Sequence, residues 1–265
     1  MLPISGILVP VDFSDQSSMA MLPYAKAAAA KYDAELILLH VEKDEELAKA
    51  ALDQLQGIKV RRVLYDGDPA EVIVGFAKTK DIDLIAMSTH GYGEFKRFLI
   101  GSVTSKVLHD VVCPVLTGVH MEEQPVAKDA KISNVLCAID LGPHSPEVLK
   151  WASQLAADFR AQLDIVHVVL PLGPGGDLPF SGEWRAEILN RARKDVETLL
   201  SAIGPTSATV YIQEGEPAKA ICSYAKGVAT DLVVIGRGPQ DRMGGRLTTN
   251  AYAIIRESPC PVVSI

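Results

Sequence analysis

Short apolar runs alternate along this chain with longer stretches in which apolar residues recur every three or four positions. Ile7-Leu-Val-Pro-Val11, Leu36-Ile-Leu-Leu39 and Leu84-Ile-Ala-Met87 are runs of the first kind. They are too short for helices and lack polar alternation, the pattern of parallel strands covered on both faces. Val103, Val107, Leu108 and Val111 recur at helical spacing until Cys113-Pro114 ends the pattern. Read this way, the first half contains strands over Gly6–Val11, Glu35–Val41, Val60–Tyr65, Leu84–Met87 and Val115–Val119. Helices are expected over Asp15–Tyr32, Asp44–Gln56, Pro69–Lys80 and Ser102–Val111. Pro69 suits a first helical turn, where its missing N–H costs nothing. Strands alternating with helices predict the α/β class, with an open, doubly wound (Rossmann-like), mainly parallel sheet and helices on both faces.

The pattern occurs twice. Ile7-Leu-Val-Pro-Val-Asp12 returns as Val135-Leu-Cys-Ala-Ile-Asp140, and Ala34-Glu-Leu-Ile-Leu-Leu-His-Val41 as Ala161-Gln-Leu-Asp-Ile-Val-His-Val168. Gly67-Asp-Pro-Ala70, Asp83-Leu84 and Cys113-Pro-Val115 return as Gly215-Glu-Pro-Ala218, Asp231-Leu232 and Cys260-Pro-Val262. The order is kept, and one insertion separates the second block from the third. It contains Pro171 to Gly182, rich in proline and glycine, which predicts a loop. The polar stretch His120 to Lys131, carrying Pro125, reads as a linker. The expected organisation is two tandem doubly wound domains, each with a five-stranded, mainly parallel sheet. They span residues 1–120 and 132–265, joined by a linker over 121–131.

Composition narrows the function classes. The chain has 265 residues, of which 48% are hydrophobic and 22% charged, enough for a real core. A net charge of −7 argues against a general nucleic-acid or anionic-membrane surface. No apolar run approaches the roughly 20 residues that span a bilayer. The apolar start lacks a basic segment and a cleavage site, so it reads as a strand and the expected location is cytoplasmic. Cys113, Cys137, Cys222 and Cys260 have no close spacing, which disfavours a metal cluster or a redox pair and suits buried thiols.

Candidate chemistry concentrates between Asp83 and Thr104. An apolar run is followed by Gly91 and Gly93, then by Gly101-Ser102, then by a helix. Glycine lets backbone N–H groups approach an anion closely. The helix start adds unpaired N–H groups and a partial positive charge of about half a unit. The hydroxyls of Ser102 and Thr104 are further donors. The plainer alternative is a turn and N-cap. In doubly wound sheets ligands sit beyond the carboxyl ends of the strands. Asp12, Val41 and Ser88–Gly91 all follow predicted strand ends, so one pocket could hold all three. Asp12 could instead cap the next helix, and Lys96 and Arg97 suit phosphate or solvent equally. His40 and His167, inside apolar runs at equivalent places, read as core histidines.

The second half departs from this pattern. Asp140 is retained, but Asp231 to Gly238 is one residue shorter than Asp83 to Gly91, and Thr248-Thr249 stands where Gly101-Ser102 stood. A threonine there would project into the phosphate space and resist a positive φ. One site is therefore expected, in the first half. Gly244-Gly245 with Arg242 or Arg246 could rebuild an anion site differently.

Through Val9-Pro-Val-Asp12-Phe-Ser14, Leu39-His-Val41, Gly67-Asp-Pro69 and the glycine loop, the chain resembles the universal stress protein family, as a tandem of two such domains. ATP-binding members of that family carry a glycine, two residues, a glycine, nine residues, then Gly-Ser or Gly-Thr. Gly91, the nine residues Tyr92 to Ile100 and Gly101-Ser102 match, and Ser88 replaces the first glycine. The resemblance implies an ATP-binding stress-response module. Pro10, Val11 and Asp12 would lie near the adenosine, and Val41 would meet adenine through its backbone. Gly91, Gly101, Ser102, Val103 and Thr104 would surround ribose and phosphates, with Met87, Ser88 and His90 on the wall. Mg²⁺ would sit on phosphate oxygens and water, with no protein metal site. Single-domain relatives pair, so the resemblance also implies an intramolecular pseudo-dimer joined at Val115–Val119 and Val262–Ile265, and a homodimer of tandem chains. Unpaired sheet edges favour that seam. No nucleophile with a base, paired carboxylates or metal ligands are visible, so no catalytic residue is expected. Two other readings stay open: a slow ATPase or self-phosphorylating enzyme accepting phosphate on Ser102 or Thr104, and an assembly module with an empty pocket.

Overall fold

A computed structural model describes residues 1–12, 20–41, 55–89, 100–118, 130–170, 182–204, 206–238 and 247–265. The first half runs β1 (Gly6–Val11), α1 (Leu22–Tyr32), β2 (Glu35–Val41), β3 (Val60–Tyr65), α2 (Pro69–Thr79), β4 (Leu84–Ser88), α3 (Ser102–Asp110) and β5 (Val115–Gly118). The second runs β6 (Asn134–Ile139), α4 (Ser145–Phe159), β7 (Gln162–Val169), α5 (Gly182–Ile203), β8 (Thr209–Glu214), α6 (Pro217–Gly227), β9 (Leu232–Ile235), α7 (Thr249–Glu257) and β10 (Val262–Ser264).

Three of the five strands expected in the first half have the bounds read from the apolar runs, and β4 runs on to Ser88. The helix expected from Asp15 starts at Leu22, after a short turn at Ala20 and Met21; residues 13–19 lie outside the described residues. Most of the helix expected over Asp44–Gln56 also lies outside them, and Leu55 to Gly57 form a turn. The repeated Gly67-Asp-Pro and Gly215-Glu-Pro segments are helix starts. The Asp68 carboxylate accepts the Glu71 N–H at 2.9 Å, and Glu216 accepts from Ala218 and Lys219 at 3.1 and 3.0 Å.

The strands among the described residues form one sheet, ordered β3-β2-β1-β4-β5-β10-β9-β6-β7-β8. Neighbours are parallel within each half, and the halves meet where β5 and β10 pair antiparallel, Leu116 opposite Val263. The two five-stranded sheets expected from the sequence are thus fused into a single ten-stranded one. The pairing satisfies backbone groups that a bare edge would leave to solvent. Two buried hydroxyls reinforce it: Thr117 Oγ1 donates to Val262 O and Ser264 Oγ to Val115 O, each at 3.3 Å.

Alternate strand residues face two apolar layers. Ile7, Val9, Leu36 and Leu38 pack with α1 and α4, whereas Leu8, Ile37 and Leu39 pack with α2 and α3. That double cover explains why the runs carry no polar positions. Each layer continues through both halves, the second taking in α6 and α7. The repeated Asp-Leu pair ties the lower ends of the strands together. Asp83 accepts from Ser5 N, Ser5 Oγ and Gly6 N at 2.7 to 3.0 Å, and Asp231 from Ser133 N and Asn134 N at 2.7 and 2.9 Å. His40, expected in the core, is 5% exposed, whereas His167 at the matching place is only half-buried. Each sets Nδ1 2.9 Å from the carbonyl ending the neighbouring strand, Val11 and Ile139 respectively.

Candidate functional site

In the first half the winding reverses between β1 and β4, and the crevice this creates opens at the carboxyl ends of the strands. Val11, Val41 and Ser88 end β1, β2 and β4 there, with Pro10 half-buried, Val11 buried and Asp12 exposed just beyond. Gly101 and α3 arrive at the same mouth. His90, Gly91, Gly93, Lys96 and Arg97 lie outside the described residues.

A knot of hydrogen bonds holds the head of α3 against β4. Gly101 N–H donates to Thr89 O at 2.8 Å, and Thr104 Oγ1 donates to Ser88 O at 2.9 Å. Thr89 Oγ1 in turn donates to Gly118 O at 3.0 Å, tying the knot to β5. Thr104 is 4% exposed, so its hydroxyl proton is spent on the Ser88 carbonyl and is turned away from the mouth. Ser102 is exposed and Val103 half-buried. Met87 is only 5% exposed and belongs to the apolar layer shared with α2 and α3. Ser88 is not among the residues with positive φ, so a side chain in place of the family's glycine brings no backbone strain.

No side chain caps α3. Its N-cap is Gly101, at φ −58° and ψ 152°, so among the described residues the first-turn N–H groups of Ser102, Val103 and Thr104 have no side-chain partner. In the second half the matching position is Thr248, at φ −76° and ψ 159°. The backbone is therefore extended in both halves, which overturns the expectation that this position needs a positive φ that threonine would resist. The difference is chemical. Thr248 Oγ1 accepts the Ala251 N–H at 3.3 Å and occupies the place an anion would take. Asp140 is likewise engaged, accepting from Gly142 N at 2.8 Å and Ser145 Oγ at 2.9 Å in a turn that holds Leu141 at φ 61°. Residues 239–246, with Arg242, Gly244, Gly245 and Arg246, lie outside the described residues.

Two residues with no signal in the sequence pattern also reach this region. Arg237 occupies the place in the second half that Thr89 occupies in the first: its N–H donates to Ile265 O and its carbonyl accepts the Thr248 N–H. Tyr252, on α7, accepts the Ile100 N–H at 3.2 Å.

Among the described residues no cluster of histidine, cysteine and carboxylate groups could hold a metal ion, and no helix is long and apolar enough to cross a membrane. The four cysteines are free thiols, and burial pushes Cys137 up to about 12, far from the thiolate range needed for reactivity.

The family model described as the universal stress protein family matches residues 4–53, 42–117 and 131–265. A universal stress protein of Mycolicibacterium smegmatis is 28% identical over 293 aligned positions, spanning 98% of this chain and 96% of that one. Universal stress protein A homolog 1 of Coxiella burnetii is 29% identical over 136 positions, half of this chain and 94% of its own length. Among solved structures, a universal stress protein from Archaeoglobus fulgidus has a TM-score of 0.72 at 23% identity, covering 99% of this chain and 98% of its own. A functionally unknown protein from Pseudomonas aeruginosa reaches 0.76 at 19% identity, covering 99% and 92%. These structures agree in fold across both halves, and with the match of the family model over most of the sequence, the chain belongs to the universal stress protein family.

Proposed function

We propose that this protein binds an adenine nucleotide, ATP with its phosphate-borne Mg²⁺, at the mouth of the first half, and acts as a stress-response or regulatory sensor through occupancy of that site. The observation that carries the reading is the contrast between the two equivalent helix starts. Gly101 leaves the first-turn amides of α3 uncapped beside the strand reversal, whereas Thr248 fills the same place with its own hydroxyl. Uncapped amides and the positive end of the helix dipole suit phosphate oxygens. The backbone at Val41 suits adenine, and Asp12, with Pro10 and Val11, suits the ribose side. Ser88 and Met87 back the crevice, with His90 and Gly91 expected on its loop. Mg²⁺ keeps most of its ligands as water and phosphate oxygen, so it asks for no carboxylate cage. Occupancy of such a site by a ligand that prefers one conformation shifts the populations of the two, which is what a sensor requires.

The test uses Gly101→Asp. Its extended backbone accepts any side chain, and aspartate is a strong N-cap, worth about 1 kcal/mol to the helix. The carboxylate would also occupy and repel the phosphate position. Calorimetric titration with Mg-ATP should show binding to the native protein and a loss of at least about tenfold in the variant, with thermal stability kept or raised. Equal affinity in both proteins would sink the assignment.

A further inference from the structure

Both ends of α3 are fastened by the other half of the chain. At its tail, Arg237 is 0% exposed and lays its guanidinium on the final carbonyls. Nη1 donates to Leu108 O at 3.0 Å, and Nη2 donates to Cys113 O at 2.6 Å and to Val112 O at 3.5 Å. A guanidinium there meets the negative end of the helix dipole with charge-assisted bonds, which offsets the cost of burying the charge. At the head, the Ile100 N–H, one residue before the Gly101 cap, donates to the Tyr252 hydroxyl at 3.2 Å. The two attachments are themselves joined. The Arg237 carbonyl accepts the Thr248 N–H at 3.0 Å and so sets the start of α7, the helix that carries Tyr252. One residue thus holds the tail of α3 with its side chain and the head of α7 with its backbone, and α7 reaches back to the head of α3. In the first half the matching residue, Thr89, sends its hydroxyl to Gly118 O within its own half.

We propose that Arg237 and Tyr252 are positioning residues for the first-half site: the second half, its own helix start closed by Thr248, serves as a brace that presets the anion-facing amides of α3. The inference rests on the nucleotide reading above and adds how that site is kept ready. Amides already held in place cost less to order when a phosphate arrives. Coupling is reciprocal, so a nucleotide seated on α3 also tightens the attachment of the second half.

The experiment uses the full chain and three variants: Tyr252→Phe, which keeps the ring and removes the acceptor, Arg237→Gln, and Tyr224→Phe as a control. Tyr224 donates its hydroxyl to Asp164 at 2.9 Å, away from α3. Two quantities are measured: Mg-ATP affinity, and amide hydrogen exchange across residues 100–110 without nucleotide. Tyr252→Phe should weaken Mg-ATP about three- to tenfold, the range one neutral hydrogen bond supports, and speed exchange at the head of α3. Arg237→Gln should speed exchange at the tail, and the control should change neither quantity. If Arg237→Gln does not fold, Tyr252→Phe decides alone. Unchanged exchange and affinity in Tyr252→Phe overturn the proposal. If the native protein binds no nucleotide, the functional reading fails, yet the exchange data still decide whether the second half braces α3.

Discussion

At the residue scale, Thr104 and Ser102 show how one helical turn divides its roles. Both hydroxyls are plausible phosphate donors in the sequence, two positions apart. The structure turns one inward to the Ser88 carbonyl and leaves the other on the surface. Thr104→Val should therefore cost about 1 kcal/mol of stability, because the partly buried Ser88 carbonyl loses its side-chain donor, and Thr104→Ser should restore most of it. Chemical denaturation of the two variants checks this, and a larger loss in Thr104→Ser than in Thr104→Val would show that the methyl group, not the hydroxyl, matters. Position 101 teaches a second lesson. Glycine there is useful for the side chain it lacks and not for its backbone freedom, since Thr248 adopts nearly the same angles.

At the element scale, the legible parts were those with local causes. Apolar runs marked β1, β2 and β4 because both faces of each strand are covered by helices, whereas β3 is a largely exposed edge strand. Gly67-Asp-Pro and Gly215-Glu-Pro marked helix starts because the cap and its N–H lie within three residues. Arg237 was not legible. Its partners Leu108, Val112 and Cys113 are more than a hundred positions away, and a charged residue after an apolar run ordinarily signals solvent. The described helix α1 begins at Leu22, with Pro23 in its first turn, and the start expected at Asp15 lies outside the described residues. In the sequence Asp83 is a repeated residue without an evident role. It pins the entry of β1 to that of β4 at the end of the sheet opposite the candidate site. Asp83→Ala should lower stability by about 1–2 kcal/mol in urea unfolding, with Mg-ATP affinity unchanged. A parallel loss of affinity would mean that the two ends of the strands are coupled.

At the scale of the whole molecule, both apolar layers and the sheet itself pass from one half to the other through β5 and β10. Calorimetry should accordingly show one cooperative unfolding transition, and two resolved transitions would contradict the shared core. On the proposed nucleotide reading, a hundredfold excess of Mg-ATP over its Kd should raise stability by about 2.7 kcal/mol. Asp158 adds a pH dependence. Burial disfavours its charge, but the Leu2 N–H and the Gln154 amide hold its carboxyl below the usual carboxylate range. Its stabilising contribution is therefore present above the unfolded-state value of about 3.9 and disappears as pH falls through the lower folded-state value. Asp158→Asn should flatten the acid limb of the stability profile.

The antiparallel junction of β5 with β10 has one last effect. Strands in the two halves run in opposite directions, so their crevices open toward opposite rims of the sheet. A molecule lodged in one crevice is thus approached from a different rim than one lodged in the other. On the reading proposed above, a ligand would therefore reach the first half across one rim, while the second half presents its Thr248-capped helix start at the other.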